Sequence, residues 1–480
     1  MSKAGDINIR KQATISFAGT LADTGISFLG LIAMAYILGA SGLGQYYLIL
    51  SVVGVALFPI NGLGQAVLKR GSEKDHDADE VYGTGLTMAL LYALTVTVGV
   101  LGIVTTNLVS IRFDFNIVLV AATVFISRTI LNTQIDAYRG YGHTGHATLV
   151  DNVYGILQTI LQLGVLALGF RVFGLLAATT AATVATVLGH YLVSVVSVSR
   201  PRFSVARSLL KYGRWSVVSS GVSTVYQRLP VLVLGFVGMD AAIGYYTSAN
   251  RLLILGSHVG GSLAPAVMAK TSSVTSETMF EEFRNAHHHV SILAVALAFG
   301  SFALSDALME TFFDMSDPLA ASALIGLAFY HILRTLTRIE FAFLDGLDMP
   351  ELGTRSIAVS LAVQAVSIPV LFFEYGFLGV VGAIVLAHFV MLTVGQVIFW
   401  TKFGTVPLPG GLLTQAVSGS LMFIVVEALA KVLGIPTVFH LLGIVGVGAA
   451  VYMGMLFVVD SGFREVVQST LTDTKQTLSG

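Results

Sequence analysis

The stretch Arg228–Gly256, RLPVLVLGFVGMDAAIGYYTSANRLLILG, reads as the turn of a hairpin between two membrane-spanning helices. Apolar runs flank a central Gly-Met-Asp, and an arginine lies inside each run: Arg228 near the centre of one helix, Arg251 in the other. An arginine at the centre of a spanning helix costs about 2.5–3.5 kcal/mol on insertion scales. A chain that keeps two of them gives each a partner, a water-filled cavity or an anionic ligand.

The rest of the chain fits a membrane setting. Of 480 residues, 55% are apolar and 11% charged, with mean hydropathy +0.83. Soluble domains carry about 25% charged residues, so this composition is that of an all-α integral membrane protein. With a net charge of -1, nothing points to a nucleic-acid partner. There is no cysteine, hence no disulfide, thiol nucleophile or thiolate metal site. The polar start MSKAGDINIRKQ leads straight into a long apolar segment, the pattern of a retained first helix.

A spanning helix needs about 20 apolar residues. Fourteen stretches qualify: 13–38, 45–68, 82–109, 117–138, 148–170, 172–198, 212–238, 242–268, 287–308, 318–344, 354–374, 376–400, 412–434 and 437–459. The bias of basic residues sets the orientation. With the N-terminus in the cytoplasm, eighteen of the 26 Lys and Arg face the cytoplasm, while Arg112, Arg171 and Lys431 face outward. An even number of spans returns the C-terminus to the cytoplasm, in the cytoplasmic (plasma) membrane.

The chain also repeats itself. A shift of 200 brings Leu43-Gly44-Gln45-Tyr46-Tyr47 onto Ile243-Gly244-Tyr245-Tyr246-Thr247. Shifts of about 205–206 bring Arg128-Thr129 onto Arg334-Thr335 and Gly174 onto Gly379. Each half begins with a basic segment and holds six spans, so the repeats are parallel. The boundaries expected are 1–202 and 203–402 for two six-helix bundles, and 403–480 for two extra helices and a cytoplasmic tail.

Neighbours on a helix lie at i+3, i+4 and i+7. In the first helix Ser16, Thr20, Asp23, Ser27 and Gly30 make a polar stripe; 200 residues on, Ser216, Ser220, Ser223, Gln227 and Pro230 repeat it. Serines satisfy helix contacts cheaply, but Asp23 at mid-membrane is read as lining a cavity or coupling to an ion. Ser51 is the repeat-mate of Arg251. Arg128, Asn132, Asp136 and Arg139 share one side of the fourth helix, and Asp151, Gly155, Gln158 and Gln162 one side of the fifth. The latter pattern suits a sugar-lined groove or ordinary inter-helix bonding. Arg334 and Arg338 place like charges one turn apart, and Glu340 points about 200° away from Arg338. His287-His288-His289 diverge by about 100° per residue, so no metal site is expected there. No GxxxxGK[ST] loop occurs, so ATP is not bound through such a motif.

The segments LGASGLGQYYLILSVVG (38–54) and GMDAAIGYYTSANRL (238–252) resemble the half-repeat signatures of the polysaccharide transporter family, in the multidrug/oligosaccharidyl-lipid/polysaccharide exporter superfamily. FLDGLDMPELGTRSIAV (343–359) and YRGYGHTGHATLVDNV (138–153) are similar to that family's inter-helix turns. The resemblance implies two six-helix bundles around a central cavity, alternating access, and a cargo of polyprenyl-(pyro)phosphate-linked oligosaccharide carried to the outer leaflet. It implies phosphate-binding arginines, carried here by Arg228 and Arg251, with Arg334 and Arg338 added by their charge. Asp23, Ser27, Ser51, Gln227, Arg128, Asn132 and Asp151 are the expected cavity or coupling residues. The partners expected are the lipid-linked oligosaccharide, membrane lipids and glycosyltransferases of the same pathway. The coupling ion is Na+ or H+, with no other cofactor. The alternatives are a cation-coupled multidrug antiporter and a membrane glycosyltransferase or polymerase. Arginine excess and fourteen spans argue against the first, and the absence of a large loop domain against the second.

Overall fold

Two glycines turn the longest apolar stretches into separate spans. The computed structural model describes residues 9–73, 75–106, 112–193, 197–254, 276–406, 410–465 and 468. Among these it is all helical: α1 (Ile9–Ala56), α2 (Phe58–Gly71), α3 (Ala78–Thr105), α4 (Phe115–Gly140), α5 (Thr144–Ala167), α6 (Val172–Val193), α7 (Phe203–Phe236), α8 (240–254), α9 (Ser276–Phe313), α10 (Pro318–Gly346), α11 (Pro350–Phe403), α12 (Leu412–Leu433) and α13 (Val438–Val459). A straight helix of 54 residues, the length of α11, would reach about 80 Å, against about 30 Å of hydrocarbon. Gly376, at φ 57°, breaks it in two. Gly39, at φ 67°, breaks α1 in the same way. Only glycine takes that backbone region without a steric penalty. Beyond Gly39 the chain is one bent rod: Leu57 donates to Val53 and Asn61 to Leu57, both at 3.0 Å, joining α1 to α2 across the Pro59 bend.

With those breaks the described residues form fourteen helices, the number expected; of the expected eighth span, 242–268, residues 255–268 lie outside the described residues. Among the described residues, eleven stretches are long and apolar enough to cross a membrane. The helices outrun the apolar segments at their polar ends. α7 starts at 203 rather than 212, and α9 at 276 rather than 287. Hydropathy marks the hydrocarbon layer, while the backbone ladder continues into polar surroundings.

By packing, the chain divides into a unit of residues 1–244 and a unit of residues 245–480. The division falls one helix after the 202/203 repeat boundary, because α7 is strapped to the first unit. Ser197 Oγ donates to Asp79 Oδ2 at 2.6 Å, Arg202 pairs with Glu80 at 2.9 Å, and the Arg202 amide donates to Thr84 at 3.1 Å. α7 then lies along α2, where Gly62 and Gly213 let the helices close: a methyl on Gly62 would sit 2.4 Å from Val217 Cα.

The repeat signatures meet inside this first unit. A methyl on Gly44 would lie 1.8 Å from the Asp240 carbonyl oxygen, and one on Gly244 would lie 2.1 Å from that of Ala40. Each glycine faces the carbonyl four residues before its repeat-mate, so the contact is reciprocal.

In the second unit, α9, α10 and α11 close on an aromatic core. Phe283, Phe343 and Phe399 are fully buried, with ring centroids 4.4–5.3 Å apart. The two extra helices dock on α9. Tyr452 donates to the Ile292 carbonyl at 2.9 Å and Gln415 to that of His288 at 3.0 Å. Asp460 closes the end: it accepts from the Phe463 amide at 3.0 Å and from Thr414 at 2.9 Å, and lies 3.3 Å from His288 Nε2. Burial works against this carboxylate, but those partners outweigh it and hold the carboxyl below its ordinary range. A carboxyl held below its unfolded value adds stability above about pH 4 and loses it as pH falls through the folded value. Asp460→Asn is therefore expected to cost about 1–2 kcal/mol at pH 7. It should also flatten the acid limb of a melting-temperature profile below about pH 4. A wild-type acid limb in the variant would refute the clasp.

Candidate functional site

The predicted site residues fall into two sets, one in each unit. In the first unit Asp23 sits in the seam between α1 and α5. It accepts from Ser27 Oγ at 3.2 Å and presses on Gly155, whose missing side chain makes the room. Thr159 lies 3.5 Å from Ser27, and Asn152 donates to Thr20 at 3.5 Å. Ser51 is buried and donates to the Tyr47 carbonyl of its own helix at 2.8 Å. Gln227 is exposed and donates to Ser223. Asp151 is exposed, two turns into α5. Arg228 is half-buried with its Nε 3.3 Å from where a Gly54 methyl would be, so that glycine opens a slot for the guanidinium.

The polar side of α4 disperses. Arg128 stacks 4.4 Å over the ring of Tyr154. One of its terminal nitrogens is buried without a hydrogen-bond partner among the described residues. Asn132 donates to Asn61 at 3.2 Å, and Asp136 pairs with Arg139 at 3.2 Å while seated against Gly64. On α5, Gln158 and Gln162 do inter-helix bonding: both donate to the buried hydroxyl of Tyr46, at 3.2 and 2.6 Å, and to Thr179.

The second unit holds the other three arginines. Arg251 is exposed on α8; its neighbour Asn250 bonds His331 of α10 at 2.9 Å. One turn on from His331, Arg334 is half-buried, and Arg338 follows it, exposed. Among the described residues neither Arg334 nor Arg338 has a carboxylate within 4 Å, and like charges one turn apart repel. Glu340 does not relieve them. It is fully buried on the other side of α10, accepts from Gln396 of α11 and lies against Gly395. Around the arginines stand two buried histidines: His331, and His388, which lies 3.1 Å from Thr337 with its ring 4.8 Å from that of Tyr330. The spacing of His331 from Arg334, Thr335 and Arg338 is a helical stripe visible in the sequence, whereas His388 comes from another helix and carries no such signal.

His287, His288 and His289 are held by separate partners: the Leu336 carbonyl, Asp460 and the Asn285 carbonyl. His258, seven residues after Arg251, lies outside the described residues.

A multi-span helical chain with an internal repeat and intramembrane arginines has the build of a membrane transporter. The chain belongs to the polysaccharide biosynthesis protein family, whose profile matches residues 33–317. Among curated proteins it is similar to "Probable flippase AglR" of Haloferax volcanii, 22% identical over 97% of this chain and 99% of the relative. It is also similar to "Probable low-salt glycan biosynthesis flippase Agl15" of the same organism, 23% identical over 78% of this chain and 79% of the relative. Among solved structures, the fold is that of the lipid II flippase MurJ in an inward closed conformation, with TM-score 0.79 and 12% identity over 95% of this chain and 100% of that one. An inward-facing MATE family multidrug transporter of the MOP superfamily aligns with TM-score 0.62 and 19% identity, over 80% of this chain and 95% of that one.

Proposed function

We propose that the chain is a flippase that carries a polyprenyl-(pyro)phosphate-linked oligosaccharide from the cytoplasmic to the outer leaflet by alternating access, for surface polysaccharide or glycoprotein assembly. The observation that carries this reading is the arginine pair of α10, half-buried and exposed, with no carboxylate beside it among the described residues. Guanidinium groups bind phosphate oxygens through bidentate, charge-assisted hydrogen bonds, which strengthen where water is scarce. An anionic headgroup would relieve the repulsion between Arg334 and Arg338 that the protein itself leaves in place. Arg251 on the neighbouring helix adds a third cation, and Arg228 is proposed separately as a phosphate-binding residue of the first unit.

Both curated relatives are named flippases, one of them for glycan biosynthesis, which supports the cargo class. In this reading both termini lie in the cytoplasm, the membrane is the cytoplasmic membrane, and glycosyltransferases supply the cargo. Asp23, held by Ser27 in a glycine notch, is the group proposed to exchange Na+ or H+ during the cycle. The test is reconstitution. Vesicles holding the purified chain should move a labelled lipid-linked oligosaccharide across the bilayer, scored by loss of access to an external glycosidase. Export of a lipophilic cation without movement of the labelled lipid would make the chain a drug antiporter instead.

A further inference from the structure

α7 is 34 residues long, about 51 Å at 1.5 Å per residue. The hydrocarbon layer is about 30 Å, so some four turns must stand outside it. The end at 231–236, VLVLGF, is wholly apolar. The protruding end is therefore the first, FSVARSLLKYGRW (203–215), which contains three cations and no acid.

Its two sides differ. Val205, Leu209 and Gly213 are buried, and Gly213 packs on Ala66 of α2. The opposite side exposes Phe203, Arg207, Leu210, Lys211, Arg214 and Trp215, which fall within about 140° on a helical wheel. No carboxylate lies within 4 Å of any of the three cations among the described residues. Large apolar chains alternate with them: Phe203 is 87% exposed, Leu210 60% and Trp215 70%. Arg214 lies 5.7 Å over the Trp215 ring. Antiparallel packing brings the basic end of α2 alongside: Lys69 is exposed, and Arg70 lies 5.6 Å over the Tyr212 ring.

We propose that this face of α7 binds the anionic phospholipid headgroups of the membrane leaflet it emerges from. Indole rings settle at the headgroup boundary with apolar chains dipping below it, and cations next to a span gain from an anionic surface. The charges are strung over about 10 Å of helix between Arg207 and Arg214, with apolar side chains between them. That spacing suits a lipid surface with many headgroups rather than a pocket closing on one phosphate. The proposal does not depend on the cargo.

Trp215 itself reports the occupant. The chain has two tryptophans, and Trp400→Phe leaves Trp215 alone. The protein is reconstituted in phosphatidylcholine with equal mole fractions of brominated phosphatidylglycerol or brominated phosphatidylcholine, and quenching of Trp215 gives the relative affinity of each lipid. The anionic lipid should be preferred by about fivefold or more at low salt. The preference should fall toward parity in about 1 M salt and in Arg207→Gln/Lys211→Gln/Arg214→Gln. Equal quenching by the two lipids, or a preference that the triple variant retains, overturns the proposal. So does a preference abolished by inorganic pyrophosphate, which would mark a compact phosphate site. The salt series needs no substitution at the face itself, so it decides the matter even if the triple variant misfolds. No transport is read, so failure here leaves the flippase reading untouched.

Discussion

Arg334→Gln/Arg338→Gln protein should translocate a lipid-linked oligosaccharide about 100-fold more slowly than wild type at limiting substrate, while remaining folded. A hydrogen bond to a charged group contributes about 1.5–3 kcal/mol, and each 1.4 kcal/mol is tenfold. Losing the charge-assisted contacts of two guanidiniums thus amounts to about two orders of magnitude. The sign of the stability effect separates this from misfolding. Two cations at i and i+4 destabilise a helix by a few tenths of a kcal/mol, and neither has a carboxylate beside it among the described residues to offset that. Removing them should leave the melting temperature unchanged or slightly raised as transport collapses. Lysine at both positions keeps the charge but loses the planar fork and should recover only part of the rate. Arg251→Gln, on an exposed side chain, should cost less than the double change. Wild-type transport by the double variant would remove the arginine pair from the mechanism.

The fold was largely legible in the sequence because the hydrocarbon layer imposes a length on apolar runs, and fourteen such runs are separated by Gly, Pro or charge. The repeat was legible through a few residues, and the structure gives one reason they persist: Gly44 and Gly244 occupy the two sides of one backbone contact. The helix ends were less legible, since the added turns of α7 and α9 carry charges that lower their hydropathy. For the site, helical arithmetic separated Glu340 from Arg338, and it set Arg334 and Arg338 on one face. It does not say which face a neighbour covers. Ser51 lies in register with Arg251 yet is buried against its own helix. The seats of the intramembrane acids were not legible at all. Asp23 rests on Gly155, Asp136 on Gly64 and Glu340 on Gly395, and each pairing spans more than fifty residues of sequence. A one-dimensional pattern carries no record of which distant glycine makes room for which carboxylate.

Gly44→Val and Gly244→Val should each destabilise the protein by about 3 kcal/mol or more, at the upper end of overpacking costs. At both positions the new side chain would meet a backbone carbonyl oxygen, at 1.8 Å for Gly44 and 2.1 Å for Gly244. A flexible side chain could swing aside; a helix backbone moves only by displacing the helix. Asp240 is also tethered, since its carboxylate accepts from Gln45 at 3.0 Å and from Arg112. Arg112 in turn donates to the Gly235 carbonyl at 3.2 Å. The start of α8 is thus tied to α1, to the segment before α4 and to the end of α7, so it has no direction in which to yield. Because the two glycines share one contact, the double variant should lose less than the sum of the singles. The contrast lies on α13, where Gly443 and Gly446 are exposed with no atom within 4 Å of an added methyl. There Gly→Ala should leave stability unchanged or raise it by about 0.5–1 kcal/mol, from helix propensity alone. Melting temperature and monodispersity in detergent read both arms. A Gly44→Val protein as stable as wild type would mean that the backbones do not meet where the repeat places them.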